Sequence, residues 1–195
     1  MAKSRTTWII LIIVVLIGLW LIRIYNSLVT ADENVSTAWS QVENVYQRRL
    51  DLIPNLVNTV QGAADFERNT LNEVIQARAA ASSINLDAAN LNEANLAAFQ
   101  QAQDGLGQAL SRLMVVVERY PELKANQNFR DLQSQLEGTE NRIAVERNRF
   151  NEAVRIYNTS IRRFPKNLIA GIFGFEARAY FQAEENAQKA PQVQF

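Results

Sequence analysis

Residues 136–164 read LEGTENRIAVERNRFNEAVRIYNTSIRRF. Leu136, Ile143, Phe150, Tyr157 and Phe164 stand seven residues apart in this stretch. A strand would alternate with period two, whereas this spacing puts all five on one face of a helix that packs on other helices. The helix is expected from about Gln127 to Arg163, roughly 55 Å at the α-helical rise. Upstream, Phe99, Leu106, Leu113 and Tyr120 form a similar row beside Leu96, Gln103, Leu110 and Val117. Pro121 stops that helix. The polar stretch from Ser82 to Asn92 separates it from a second helix, expected over Leu52 to Ala81. Further upstream, Leu28, Val35 and Val42 again repeat every seven residues, flanked by Ala38, Trp39, Val45 and Tyr46. This first stretch is expected to end near Arg49, with Asp51 as N-cap and Pro54 in the first turn of the next helix. The alternative at Arg49 to Pro54 is a kink, which would merge the two stretches; the turn is preferred. The first three rods each span about 42 to 45 Å at the helical rise. Matched rods with short links predict an all-α fold, an antiparallel up-and-down four-helix bundle over residues 28–163.

The N-terminal end is of another kind. Trp8 to Ile22 reads WIILIIVVLIGLWLI, without a charge. With its flanks it supplies about 20 residues, roughly 30 Å of helix, enough to cross a bilayer. Trp8, Trp20 and Tyr25 sit near its ends, where aromatic belts lie. Arg23 can extend to the headgroups. Lys3 and Arg5 precede the run, and Asp32 and Glu33 follow it. That bias predicts a cytoplasmic N-terminus and a body on the other side. Residues 1–27 are thus expected to be a cytoplasmic N-terminus and an uncleaved transmembrane signal anchor. The rival is a signal peptide cleaved after Val29-Thr30-Ala31. That site lies far beyond the apolar run, inside what looks like continuing helix.

Composition narrows the chemistry. The 195 residues carry 20 Lys+Arg and 20 Asp+Glu, so no bulk charge points to nucleic acid. Histidine and cysteine are both absent, which removes the commonest general base, the commonest zinc ligand and any thiol nucleophile. Gly105-Leu106-Gly107 has no preceding strand and no third glycine, so it is no nucleotide loop. No nucleophile elbow surrounds any serine. The adjacent pairs Asp32/Glu33 and Glu184/Glu185 diverge on a helix and suit a solvated face. No catalytic, cofactor-binding or metal-binding residue is expected.

One polar feature stands out on the fourth helix. Glu140 and Arg147 occupy positions where core residues belong, and Asn151 and Asn158 lie beside them, also seven apart. These four residues are expected to form a buried polar layer that sets helix register, with partners such as Arg48, Asp51, Arg78 or Glu118. The competing reading is a ligand site inside the bundle.

At several blocks the chain resembles the LemA family of bacterial membrane proteins. These are Tyr25 to Val29, RRLDLIPNLV (48–57), ARAAA (77–81), ERYPELKANQNF (118–129), LEGTENRIAVERNRFNEAVRIYN (136–158), FPKNLIAGIFGF (164–175) and the tail from Ala190 to Phe195. Asp65-Phe66-Glu67 departs from a family pattern that more usually has His before the Glu, which argues against a catalytic or metal role there. The resemblance implies a helical bundle, a membrane anchor and a bacterial source. It brings no established enzyme activity, and it includes relatives associated with organelle membranes such as magnetosomes.

The remaining segment, residues 164–195, holds FPKNLIAGIFGFEARAYF (164–181) and the tail. Leu168, Ile172 and Phe175 form one stripe, with Ile169, Phe173 and Tyr180 close beside it. Arg162, Arg163, Lys166 and Arg178 supply positive charge. This suits either a segment lying in the headgroup region or a flap covering the open end of the bundle. The expected role is a non-enzymatic scaffold or adaptor of the bacterial cytoplasmic membrane, with the bilayer and another envelope protein as partners. The alternative is a lipid-binding or membrane-shaping protein. Val35 and Val42, with Trp39, Tyr46 and Ile53 on a second row, make a wide apolar face that also suggests a homo-oligomer. Intact-mass analysis of membrane-extracted protein is expected to show the residues before Asp32 retained; a mature N-terminus at Asp32 would establish cleavage instead.

Overall fold

The computed structural model describes residues 2–62 and 67–182. Asp65 and Phe66, Glu184 and Glu185, and the tail from Ala190 to Phe195 lie outside the described residues. Helix α1 runs Ala2–Gln61, 60 residues, or about 90 Å at the helical rise. From Trp8 to Ile22 its large apolar side chains are exposed all round. Among the described residues it is the one helix long and apolar enough to cross a membrane. An apolar surface on every face, left uncovered by the rest of the chain, is consistent with a membrane-spanning segment. From Ile24 onward the same helix becomes amphipathic, burying Leu28, Val35, Trp39 and Val42. The expected boundary between residues 27 and 28 therefore falls inside one continuous helix.

The expected turn at Arg49 to Pro54 does not exist. Pro54 lies inside α1, and Asp51 accepts a hydrogen bond from Gln47 one turn earlier rather than capping a new helix (2.7 Å). Proline has no N–H, so the carbonyl of Leu50, four residues back, loses its helical donor. Arg78 Nε replaces it at 3.0 Å. The apolar stripe Leu50, Ile53, Leu56, Val57 and Val60 stays buried straight through the proline. Roughly 1.5–3 kcal/mol for each large side chain buried outweighs the ~3 kcal/mol that an interior proline costs. The predicted second helix is accordingly cut elsewhere. Gly62 follows the end of α1, and α2 covers Arg68–Ser83.

Helix α3, Glu93–Val117, begins at Asn92, whose side chain accepts from Asn95 N. Its two expected rows are buried, except that Tyr120 falls beyond the helix end and is half-buried. Pro121 opens the short α4, Pro121–Ala125. Helix α5, Gln127–Arg162, is capped by the Asn126 side chain at Phe129 N. It buries Leu136, Ile143, Phe150 and Tyr157. Phe164, expected as the fifth member of that row, is 81% exposed. The helix ends at Arg162, so the heptad register ends before reaching it. Helix α6, Lys166–Phe173, closes on Gly174, whose φ of 72° is the left-handed cap conformation.

α1 and α5 are antiparallel: Arg49 meets Glu140 far from the membrane run, while Lys166, just past α5, reaches back to Ser27. α2 and α3 are antiparallel as well, with Glu73 on Arg112 and Glu67 on Arg119. Two apolar clusters result. The one nearer the exposed apolar run centres on Trp39, Phe99, Phe150 and Tyr157. The distal one centres on Ile53, Leu56, Leu106, Leu113 and Leu136. Val35, Trp39, Val42, Tyr46 and Ile53, whose breadth suggested self-association, are all buried within the single chain.

The Pro54–Arg78 relation is testable. Arg78→Ala is expected to cost about 1–2 kcal/mol by stranding the Leu50 carbonyl. In a Pro54→Ala background, where the substituted residue's own N–H can take that carbonyl, the loss should shrink by about 1 kcal/mol. Urea unfolding of the four proteins measures this; equal losses in both backgrounds would mean that Arg78 does not act through Leu50.

Candidate functional site

Arg49 separates the two apolar clusters and is only 3% exposed. Its Nη1 donates to Glu140 Oε1 at 2.6 Å, and its Nη2 to Gln103 Oε1 at 2.6 Å and to the Gln103 carbonyl at 3.1 Å. The guanidinium also lies over the Tyr46 ring, 5.1 Å from its centroid. Among the described residues Nε has no hydrogen-bond partner. A polar layer exists, then, but its buried charge is Arg49, not Glu140 or Arg147. The Glu140 side chain is 48% exposed and Arg147 is half-buried. Arg49 escapes sequence reasoning because it sits where helix one was expected to end. Along the layer an open groove of about 970 Å³ is lined by Tyr46, Arg49, Gln103, Glu140 and Arg147.

The other members of the polar row do something the sequence did not suggest. After Gly174 the chain runs without helix from Phe175 to Gln182, back along α5. Asn158 Nδ2 donates to the Arg178 carbonyl, and Asn158 Oδ1 accepts from Arg178 N, each at 2.9 Å. Asn151 does the same for Phe181, donating at 3.1 Å and accepting at 2.9 Å. An amide offers one donor and one acceptor side by side, so it pairs with a residue's backbone as a neighbouring strand would. The spacing follows from geometry. Seven helical residues rise about 10.5 Å, and three extended residues span about 10 Å. Arg147 Nη2 donates to the Gln182 carbonyl at 3.0 Å and stacks on the Phe181 ring at 4.9 Å. Gln100 of α3 pairs with both backbone groups of Gln182. Phe181 packs against Trp39 and Phe150 in the cluster nearer the exposed apolar run. Arg147, Asn151 and Asn158 therefore fasten a C-terminal strap, and Glu140 alone of the expected four serves the buried layer.

The expected membrane or partner patch is divided. Ile169 is buried with Ala170, and Phe175 is half-buried. Leu168, Ile172, Phe173 and Tyr180 are exposed, Ile172 most of all at 74%. Phe173 and Phe175 both contact the Tyr25 ring, at 4.8 and 5.9 Å between centroids. That places the exposed face of α6 level with the end of the apolar run. Arg178, expected to serve lipids, is instead committed to Asp32 at 3.1 Å. Among the described residues no three His, Cys, Asp or Glu gather in a metal-binding arrangement.

The strap carries a pH signature. Tyr157 Oη donates to the Glu176 carbonyl at 2.9 Å. Burial, helped by the Asp32 carboxylate and opposed by Arg178, pushes its hydroxyl up to about 12. Burial raises Tyr46 as well. Unfolded tyrosine ionises near pH 10. The folded state thus holds its proton where the unfolded state has lost it, and stability is full below about pH 10 and falls toward about 12. Urea unfolding across that range is expected to show the fall, and Tyr157→Phe should lessen it while lowering neutral-pH stability by about 1 kcal/mol. An unchanged slope would place the Tyr157 proton outside the linkage.

A model of the LemA family matches residues 38–195. Magnetosome protein MamQ 1 of Paramagnetospirillum magneticum is 30% identical over 194 residues, covering 89% of this chain and 70% of that protein. Magnetosome protein MamQ of Magnetospirillum gryphiswaldense is 29% identical, covering 80% and 64%. Protein LemA of Metamycoplasma hominis is 24% identical, covering 82% and 69%.

Proposed function

This chain belongs to the LemA family, and from that premise we propose that it is a non-enzymatic scaffold or adaptor anchored in the bacterial cytoplasmic membrane. The observation that carries the proposal is the continuity of α1. No linker interrupts the helix between the exposed apolar run and the packed body. A body built this way is a stiff projection, rising about 55 Å from Ile24 to Gln61 by the helical rise. We take the two antiparallel pairs as an up-down-up-down four-helix bundle whose distal end is offered to another envelope protein. The flanking charges favour a cytoplasmic N-terminus, with the body on the far side. Absence of histidine and cysteine, and a buried arginine already neutralised by Glu140, support a binding rather than a catalytic role.

A second reading has its own observation. Leu168, Ile172 and Phe173 are exposed beside Tyr25, at the level where the apolar run ends. A short apolar face there suits the acyl–headgroup boundary. The magnetosome names of two relatives are compatible with work at a membrane surface.

Two measurements separate the readings. A photo-crosslinker at Val115, exposed on α3, is expected to capture one recurrent protein in living cells; lipid adducts alone would overturn the scaffold role. Residues 24–195 are expected to float with anionic vesicles, and Ile172→Asp with Phe173→Asp should reduce flotation roughly tenfold by removing buried apolar area while circular dichroism stays unchanged. Loss of helicity in that variant would assign α6 to the core.

A further inference from the structure

A second cleft lies where α5 ends beside the membrane run. Its open volume is about 590 Å³, and its walls come from Trp20 and Ile24 of α1 and from residues 155–166. Three of the lining residues are cations, Arg155, Arg163 and Lys166, and none is a carboxylate. Arg155 is neutralised by Glu152, at 2.6 and 2.7 Å. Among the described residues no carboxylate pairs with Lys166: its Nζ donates to Ser27 Oγ at 2.8 Å and to Ser160 Oγ at 3.2 Å. Both partners are uncharged hydroxyls. They fix the ammonium in place, and each keeps a hydrogen of its own to donate to an incoming oxygen. Arg163 is exposed at the rim and can offer a bidentate fork.

The apolar part of the cleft is as informative as the charges. Phe164 is 81% exposed and Trp20 is half exposed. A soluble anion has no use for either. Trp20 also belongs to the exposed run that continues to Trp8, so an apolar chain descending from the cleft would stay on apolar protein. Phosphate at the top and hydrocarbon below is the chemistry of a phospholipid.

We propose that this cleft holds the phosphate of an anionic phospholipid from the leaflet on the body side, between Lys166, Arg163 and the Ser160 hydroxyl, with an acyl chain along Trp20. The proposal rests on the membrane-anchor reading and makes no use of Leu168, Ile172 or Phe173. It makes the junction of α5 and α6 a lipid-selective contact, whereas Leu168, Ile172 and Phe173 carry no charge with which to choose among lipids.

Native mass spectrometry of the full-length protein in detergent, titrated with phosphatidylglycerol and with phosphatidylcholine, tests the site. Phosphatidylglycerol is expected to bind preferentially, and Arg163→Gln with Lys166→Gln to weaken it about thirtyfold, the scale set by two basic residues at an anionic surface. The charge-conserving pair Arg163→Lys with Lys166→Arg should keep most of the preference, which separates charge from folding. Wild-type affinity in the Gln variant overturns the proposal, as does loss of the preference in Ile172→Asp with Phe173→Asp alone. Competition by glycerol phosphate at concentrations similar to the lipid's would identify a free-phosphate site and overturn it too. A chain that leaves the membrane fraction without detergent overturns the anchor reading along with it, whereas the other negative results leave the anchor standing.

Discussion

A guanidinium buried between two apolar clusters must be answered on every side it can be, and Arg49 sets the register of the helices around it for that reason. Its fork takes Glu140 from α5 and both oxygens of Gln103 from α3. Shifting either helix by one residue would turn those groups about 100° away and leave a charge uncompensated in a nearly dry position. Apolar clusters tolerate such slips, because hydrocarbon contact is not directional. The layer also explains why there are two clusters rather than one: Tyr46 closes the first, and Leu50 opens the second. Burial of an ion pair is weak evidence for stability in itself. Glu140 remains half exposed, which lessens the desolvation cost on that side.

The same logic of replacing a lost partner recurs twice more. Pro54 removes a donor from α1, and Arg78 supplies one from α2. Among the described residues the extended strap has no neighbouring strand, and Asn151, Asn158 and Gln100 act as one, each answering a backbone N–H and a backbone carbonyl together. In each case a side chain from another helix completes a backbone that could not complete itself. These contacts are specific in a way the leucines and valines are not, and they tie α2 and the C-terminal strap to helices they would otherwise only touch.

The legibility of this structure follows from that division. Periodic apolar rows are a local property, and the rows at 96–117 and 136–157 were visible in the residues and are buried. The apolar run at 8–22 was visible for the same reason. The continuity of the first two stretches was not. A proline followed by a good helical pattern reads equally as N1 of a new helix or as an interior residue, and the deciding partner, Arg78, lies 28 residues away. The seven-residue spacing of the polar row is legible in the sequence, but the segment it matches is not. Seven helical residues also match three extended ones, and nothing in the composition of Phe175 to Gln182 announces an extended strap. Arg49 was hidden by the misplaced helix end: once α1 is continuous, an arginine between Tyr46 and Ile53 stands on the core face.

Continuity of α1 also sets where the packed body gives way to the exposed apolar run. Residues four apart lie on nearly the same side of a helix. Leu28 and Ile24 are buried against α5 and α6, and Trp20 is the next residue on that side. α5 ends at Arg162 while α1 continues, so the stripe that is covered at Leu28 emerges uncovered at Trp20. The cleft with Arg163 and Lys166 is thus no accident of loop conformation. It is the place where a paired stripe loses its partner helix, and the residues that end α5 are basic. A flexible joint between span and body would let the body rotate freely and would scatter this arrangement. An unbroken helix holds the apolar run and the body at one rotational setting, so Trp20 keeps the same place relative to Arg163 and Lys166 in every copy.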